Sequence, residues 1–144
     1  MNTQKSRCMR IGPRYDAKCV EIYSSSGHVI QWVNEFRYLG VFIAQSRLFK
    51  CSLNASKKSF YWAANAVFGK VGRTASEEVT LQLVLSKCVS VLLYGLEACS
   101  LNTSDIRSLD FVINRSFMKL FKTTDIEIVK YCQNTFRFNY QVFG

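Results

Sequence analysis

The side chains that could carry out catalysis are few in this sequence and do not cluster. Among the 144 residues there is one histidine, His28, and there are ten acidic residues. Glu77, Glu78 and Asp105 lie in helix-start patterns, where capping accounts for a carboxylate. Metal-assisted phosphoryl transfer needs carboxylates grouped around the metal; the sequence has no such group and no glycine-rich phosphate loop. We therefore predict no catalytic residue, no metal site and no cofactor in this chain.

The six cysteines are widely and irregularly spaced. None forms a Cys-x-x-Cys pair, and a single histidine makes a tetrahedral zinc cluster difficult to assemble. The first ten residues are polar and basic and contain no apolar signal-peptide core. These features favour buried, reduced thiols over a disulfide framework, and predict an intracellular protein, nuclear or cytoplasmic and not secreted.

Positive charge is concentrated in the first half of the chain. Residues 1–73 carry twelve Lys and Arg against three acids, whereas residues 74–144 carry seven of each. A one-sided excess is typical of a surface that meets a polyanion, most commonly nucleic acid. A soluble basic surface without a ligand accounts for the charge equally well, so charge alone does not decide the function.

A basic stripe with one aromatic ring is the better binding signal. It lies where helical spacing begins: Arg47, Lys50, Lys57, Lys58 and Tyr61. On one helix face, the cations can meet phosphates while the ring packs against a sugar or a base. A solvated helix face is the alternative. A smaller stripe, Arg115, Lys119 and Lys122, has acids nearby, and we interpret it as a solvated face.

Strand signals fill the first third of the sequence. Cys19–Tyr23 and Val29–Val33 flank a serine-glycine loop and predict a hairpin. The next segment, 36–43, is β-branched and aromatic, and its interior glycine, Gly40, marks a bulge or a close approach of another backbone. A short N-terminal β-hairpin element, before the helices, is therefore predicted.

Helical periodicity follows from about residue 47. The predicted helices cover about 47–72, 76–97, 102–121 and 125–133, with Thr74-Ala-Ser-Glu77 as a capping box before the second. The apolar run Val79–Leu96 is interrupted by polar side chains, so we predict a buried helix and no membrane span. The fold class is then α+β, with the β element followed by a three- to four-helix bundle. The predicted domains are 1–45, 46–135 and a tail, 136–144.

Several blocks of the sequence resemble one protein family. Asn2-Thr-Gln-Lys5-Ser6 resembles the N-x-x-K-[ST] block late in the palm of non-LTR retrotransposon reverse transcriptases, and Phe36–Val41 resembles the primer-grip hairpin that follows it. Three later blocks are similar to the region that contains the thumb in LINE-type, jockey-like elements: Ser59–Asn65, Val91–Glu97 and Ser108–Phe121. The blocks have the family's order and cover nearly the whole chain.

The resemblance implies roles for individual residues. Lys5 would lie near the phosphates of the incoming nucleotide, and Tyr38, Leu39 and Gly40 would form the turn that holds the primer's 3′ end. The helices after Arg47 would be the thumb, which packs on the template–primer duplex without reading its sequence.

The family's metal-binding aspartates come before the N-x-x-K-[ST] block, at which this chain begins. We therefore expect a truncated RNA-directed DNA polymerase that holds RNA–DNA hybrid or duplex nucleic acid and is inactive alone, although the parent enzyme would use Mg²⁺. Relatives often have proline at the position of Ser90, which affects the expected helix geometry there. The alternative is a non-catalytic interaction module that docks on the missing palm and fingers or on a second copy. An independent small enzyme is the least favoured reading of the residues.

Overall fold

The structure, a computed structural model, describes residues 5–72 and 74–135. The chain divides into two compact units, and passes between them three times. Unit 1 consists of Met1–Ser56 and Leu93–Asn102, and unit 2 of Lys57–Leu92 and Thr103–Gly144. The predicted tail at 136–144 and the first residues of the N-x-x-K-[ST] block, 2–4, lie outside the described residues.

The strands all belong to unit 1 and come before the helices. They are β1 (Arg7–Cys8), β2 (Ile22–Tyr23), β3 (Val29–Trp32), β4 (Glu35–Tyr38), β5 (Val41–Ala44) and β6 (Lys50–Cys51). The first three form a sheet in the order β1-β3-β2, in which β1 is parallel and β2 antiparallel to β3. The other three form an antiparallel sheet in chain order. The predicted β2–β3 hairpin is therefore confirmed, and residues 36–43 form a second hairpin.

The helices follow from residue 53 and confirm the α+β fold class. They are α1 (Leu53–Val71), α2 (Glu77–Leu83), a π-helical segment (Val84–Val89), α3 (Ser90–Leu93), a short 3₁₀ turn (Leu96–Ala98), α4 (Thr103–Leu120) and α5 (Ile126–Thr135). In unit 2, α2 and α5 each contact α4. Helical spacing predicts that Phe60 of α1 and Phe117 of α4 face inward, and both are fully buried.

The start of the first helix and the capping residue of the second differ from prediction. The first helix begins at Leu53, not at about residue 47, because Lys50–Cys51 pairs with β5 as a strand. The second begins after Ser76, whose hydroxyl accepts the backbone N–H of Val79 at 3.3 Å. The predicted capping box had placed Thr74 in that role. A serine directly before the two glutamates is a better N-cap, because both then lie in the first turn.

The second predicted helix is continuous from Glu77 to Leu93 but is not a regular α-helix throughout. Six residues in its middle, Val84–Val89, form π-type hydrogen bonds, and Gly95 ends the helical run with a φ of +76°. Gln82, Ser86 and Ser90, which are among the polar side chains that interrupt this apolar run, are exposed. A π segment widens a helix by one residue in a turn and is costly unless packing favours it. Here Val84 and Cys88 are among its buried side chains.

The prediction of reduced thiols is wrong for two of the six cysteines. Cys51 and Cys99 form a disulfide within unit 1, with their Cα atoms 6.0 Å apart. This distance is ordinary for a disulfide. The prediction failed because the partners are 48 residues apart in sequence, and only the pairing of β6 and the return of residues 93–102 to unit 1 bring them together. Cys8, Cys19, Cys88 and Cys132 are free thiols.

Candidate nucleic-acid interface

Three cations and a tyrosine line an open depression in unit 1. Lys5 precedes β1 and Arg7 begins it, while Arg37 and Tyr38 come from β4. The depression has a volume of about 880 Å³, and Glu35 is the acidic residue among its described lining residues. The structure thus brings together Lys5 and Tyr38, two predicted site residues from separate sequence blocks, in a place with a positive excess.

Leu39 and Gly40 form the turn between β4 and β5, whereas Tyr38, which the resemblance also placed in the turn, is the last residue of β4. Tyr38 pairs with Val41, so the loop has two residues, and both have positive φ, +48° and +88°. Two such residues in a two-residue loop are the signature of a type I′ hairpin turn. Leucine rarely takes this conformation, and the side chain of Leu39 is 75% exposed at the tip.

Tyr94 holds this turn in place, a role that sequence reasoning missed. Its hydroxyl donates to the backbone oxygen of Leu39 at 3.2 Å. A Cβ on Gly40 would lie 3.0 Å from the Tyr94 ring, so the ring and the positive φ both account for glycine there. The signal was present in the Val91–Glu97 block, which resembles the family, but a contact over 55 residues is not visible in a single sequence.

Arg47 and Lys50 do not lie on the first helix. Arg47 is exposed in the bend between β5 and β6, and Lys50 is in β6, where it pairs with Ala44. Both belong to unit 1. The single helical stripe predicted from Arg47 to Tyr61 is therefore wrong, because a strand occupies its first part.

The rest of that stripe lies on α1 in unit 2, where its members face different surroundings. Lys57 is half-buried, and its ammonium donates to the hydroxyl of Ser108 on α4. Lys58 is exposed. Tyr61 is 36% exposed and its ring meets that of Phe60 edge-on, with 5.8 Å between centroids. Of the two α1 lysines in the predicted stripe, Lys58 is the one open to solvent.

A second concave surface lies wholly within unit 2. It has a volume of about 470 Å³ and is lined by Tyr61 and Asn65 of α1 and by Arg115 and Lys119 of α4, together with Lys122 after it. The α4 cations are the ones that the sequence assigned to a solvated face. Helix packing, which places α4 beside α1, is what makes them line a groove.

The described residues whose pKa values are shifted, Tyr23 and Cys88, lie outside both concave surfaces. A hydrogen bond from its hydroxyl to the Glu21 carboxylate, reinforced by that negative charge, raises the pKa of Tyr23. Burial raises the pKa of the Cys88 thiol. His28 is exposed, with its Nδ1 3.1 Å from the hydroxyl of Ser26. These groups give no acid–base arrangement at the candidate interface.

Within the described ranges, no group of three or more His, Cys, Asp or Glu side chains could hold a metal ion.

One segment of the described chain, Glu77–Ala98, is long and apolar enough to cross a membrane, judged by length and composition only. Its most apolar window has a mean hydropathy of 1.7 and is 39% buried. The core helix of a soluble protein passes the same test, so this one segment is weak evidence for a membrane span.

Comparison of the chain with protein-family models, curated proteins and solved structures finds no match. The family resemblance of the ordered blocks therefore stays a prediction.

Proposed function

We propose that this chain is a nucleic-acid-holding part of an RNA-directed DNA polymerase of a non-LTR retrotransposon, and that it binds RNA–DNA hybrid or duplex without polymerising alone. The observation that carries the proposal is the unit 1 depression, in which Lys5, Arg7, Arg37 and Tyr38 come together beside the β4–β5 turn. The ordered sequence blocks support the choice of family.

Phosphate contacts would supply the affinity. Lys5 and Arg37 are exposed, and the Arg37 guanidinium lies 5.9 Å from the centre of the Phe42 ring. A cation placed over a ring is held in position by the ring's negative face, so this guanidinium is oriented before a ligand arrives. Binding through phosphates is independent of sequence and falls steeply with salt.

The β4–β5 turn would position the end of the bound strand. Tyr38 is 59% exposed, and its ring can pack against a terminal sugar or base. The Tyr94 hydroxyl fixes the neighbouring carbonyl of Leu39. A turn that is already ordered loses little entropy when a strand end binds to it. The depression and the turn together favour a strand end held by its backbone.

The test is a salt titration of binding to a short, fluorescently labelled RNA–DNA hybrid. Three phosphate contacts predict a slope of log K against log salt of about −3 for duplex. The double variant Lys5→Gln/Arg37→Gln should reduce the slope to about −1, since each lost phosphate contact removes about one unit. Lys18→Gln is the matched control, because Lys18 is an exposed unit 1 cation outside the depression.

Equal slopes for the double variant and the parent protein would overturn this use of the depression. A primer–template assay with Mg²⁺ completes the test: we expect no nucleotide incorporation by the purified chain. Incorporation that survives separation from contaminating polymerases would contradict the proposal that the chain only holds nucleic acid.

An interaction module is the second candidate, favoured by large apolar side chains on the surface. Trp62 is 82% exposed, Tyr131 72% and Leu48 75%. Exposed apolar groups of this size are common at protein interfaces. Sedimentation over a range of protein concentrations distinguishes the candidates: self-association unaffected by added hybrid favours the module, and a monomer that binds hybrid favours the nucleic-acid proposal.

A further inference from the structure

We propose that the unit 2 groove is a separate site for one unpaired nucleotide of a single strand, with its phosphate on the groove's cations and its base on the apolar floor. This inference rests on the proposed nucleic-acid function and assigns to the groove a ligand different from the duplex of unit 1.

The size and charge of the groove fit such a ligand. Its volume of about 470 Å³ falls within the range of about 300–1,000 Å³ found for small-molecule sites. Its described lining contains Arg115, Lys119 and Lys122 and no acidic residue. Asp125, the nearest carboxylate in sequence after Lys122, lies outside this lining and accepts the backbone N–H of Glu127. Glu77 lines the adjoining pocket with Lys119 and Lys122. An anion in the groove therefore meets three cations and no carboxylate among the described lining residues.

Lys119 is held in position before any ligand binds. Its Nζ donates to Oδ1 of Asn65 at 2.8 Å and lies 4.8 Å from the centre of the Phe68 ring. An ammonium has three donors, so one hydrogen bond to Asn65 leaves two for phosphate oxygens. Asn65 also lines the groove, and because its oxygen accepts from Lys119, its amide NH₂ remains as a donor.

Lys122 occupies a backbone position that glycine normally takes. It follows α4 with a φ of +50°, and the next residue, Thr123, donates its N–H to the backbone oxygen of Met118 at 3.0 Å. This is the hydrogen bond of a Schellman cap, whose left-handed residue is most often glycine. Local rules of this kind are most often broken at functional sites. A side chain that brings positive charge into the groove is a reason for lysine here.

The apolar part of the groove favours an unpaired nucleotide over duplex. Tyr61, Ala64, Phe68 and Met118 are among the lining residues. In duplex the base faces are stacked on each other, whereas a single strand offers them to aromatic side chains. Phosphate and base are then recognised together in a space of nucleotide size.

The test compares an unstructured single strand, oligo-dT, with the RNA–DNA hybrid, by calorimetry on the full chain. The double variant Arg115→Gln/Lys122→Gly should weaken oligo-dT binding about tenfold or more through lost phosphate contacts, while hybrid binding stays unchanged. Both substitutions are at exposed positions, and glycine suits the φ of residue 122. Lys122→Gly alone, which should weaken binding less, provides a second variant.

Lys130→Gln is the matched control, since Lys130 is an exposed unit 2 cation on α5 outside the groove. Tripolyphosphate serves as a ligand with charge and no base. We expect tripolyphosphate to bind more weakly than oligo-dT. Tyr61→Leu should lower the affinity for oligo-dT relative to tripolyphosphate by about 1–3 kcal/mol, a loss of about five- to 150-fold.

Oligo-dT binding that is unaffected by the double variant would overturn the groove as its site. Equal affinity for tripolyphosphate and oligo-dT would overturn the role of the base. Either result leaves the unit 1 proposal intact if hybrid binding still depends on Lys5 and Arg37. Both proposed sites are supported if the unit 1 variant loses only hybrid binding and the groove variant loses only oligo-dT binding.

Discussion

Gly95 offers a direct test of how residues 93–102 are packed within unit 1. Its φ is +76°, and a Cβ built on it would lie 2.2 Å from Cγ2 of Val41 on β5. A non-glycine residue in the left-handed region costs about 1–2 kcal/mol, and overpacking adds about 1–3 kcal/mol. We therefore expect Gly95→Ala to lower the free energy of unfolding by about 2–5 kcal/mol.

Two further variants separate these contributions. In a Val41→Ala background the nearest remaining Val41 atom, Cβ, would be 3.5 Å away, an ordinary contact. The added cost of Gly95→Ala should then fall to the backbone part, about 1–2 kcal/mol. Gly69→Ala is the control, because Gly69 lies in α1 with nothing within 4 Å of its added Cβ. We expect it to stabilise the protein by about 0.5–1 kcal/mol.

Urea unfolding followed by tryptophan fluorescence can report the stability of unit 1, to which Gly95 and Val41 belong. Trp32 lies in unit 1 and its indole N–H donates to the backbone oxygen of Val20 at 2.9 Å. The other tryptophan, Trp62, is exposed in unit 2, so a Trp62→Phe background isolates the signal of unit 1 for the Gly95 and Val41 variants. Gly69→Ala, which lies in unit 2, is measured with Trp62 retained. Gly95→Ala as stable as the parent protein would refute the reasoning, and an equal cost with and without Val41 would show that Val41 is not the obstacle.

Three other predictions concern stability and reactivity. Reduction of the Cys51–Cys99 bond should lower the free energy of unfolding by about 4 kcal/mol on the chain-entropy estimate for a separation of 48 residues; urea midpoints with and without reductant check this, with the pairing verified by peptide mass spectrometry. Ser76→Ala should cost about 1 kcal/mol through the lost helix cap and Thr74→Ala much less, an order that equal urea midpoints would contradict. Burial raises the pKa of the Cys88 thiol from its ordinary 9.0, so the folded state keeps a proton that the unfolded state loses. The contribution of this thiol to stability is therefore complete below pH 9.0 and is lost as the pH rises beyond it. The urea midpoint of Cys88→Ala should decline less steeply than that of the parent protein over this pH range. An identical decline would contradict the assignment.

Local signals in the sequence predicted the local structure well. The β2–β3 hairpin follows from alternating side chains around a serine-glycine loop, and the buried faces of α1 and α4 follow from helical periodicity. Both depend on neighbours within a few residues. The start of α1 was missed because residues 50–51 pair as a strand with β5, and tertiary pairing overrides local helical spacing.

Features formed by distant residues could not be predicted from one sequence. The Tyr94 contact with the Leu39 carbonyl spans 55 residues and the disulfide spans 48. The same holds for the two concave surfaces. Arg115 and Lys119 become groove residues only because α4 packs beside Tyr61 and Asn65 of α1, a placement that helical spacing does not reveal.

The Cys51–Cys99 bond also determines how the chain transmits force and when it can mature. A pull applied at the two ends passes through the sulfurs, so the residues enclosed between them stay slack even when everything outside the ring is extended. With a separation of 48 residues and at most about 3.4 Å per residue, about 160 Å of contour length is hidden until the bond is reduced. On the ribosome the same closure has to wait, since Cys51 emerges long before Cys99. The first five strands and α1 are therefore synthesised well before the covalent ring that encloses α1 can close.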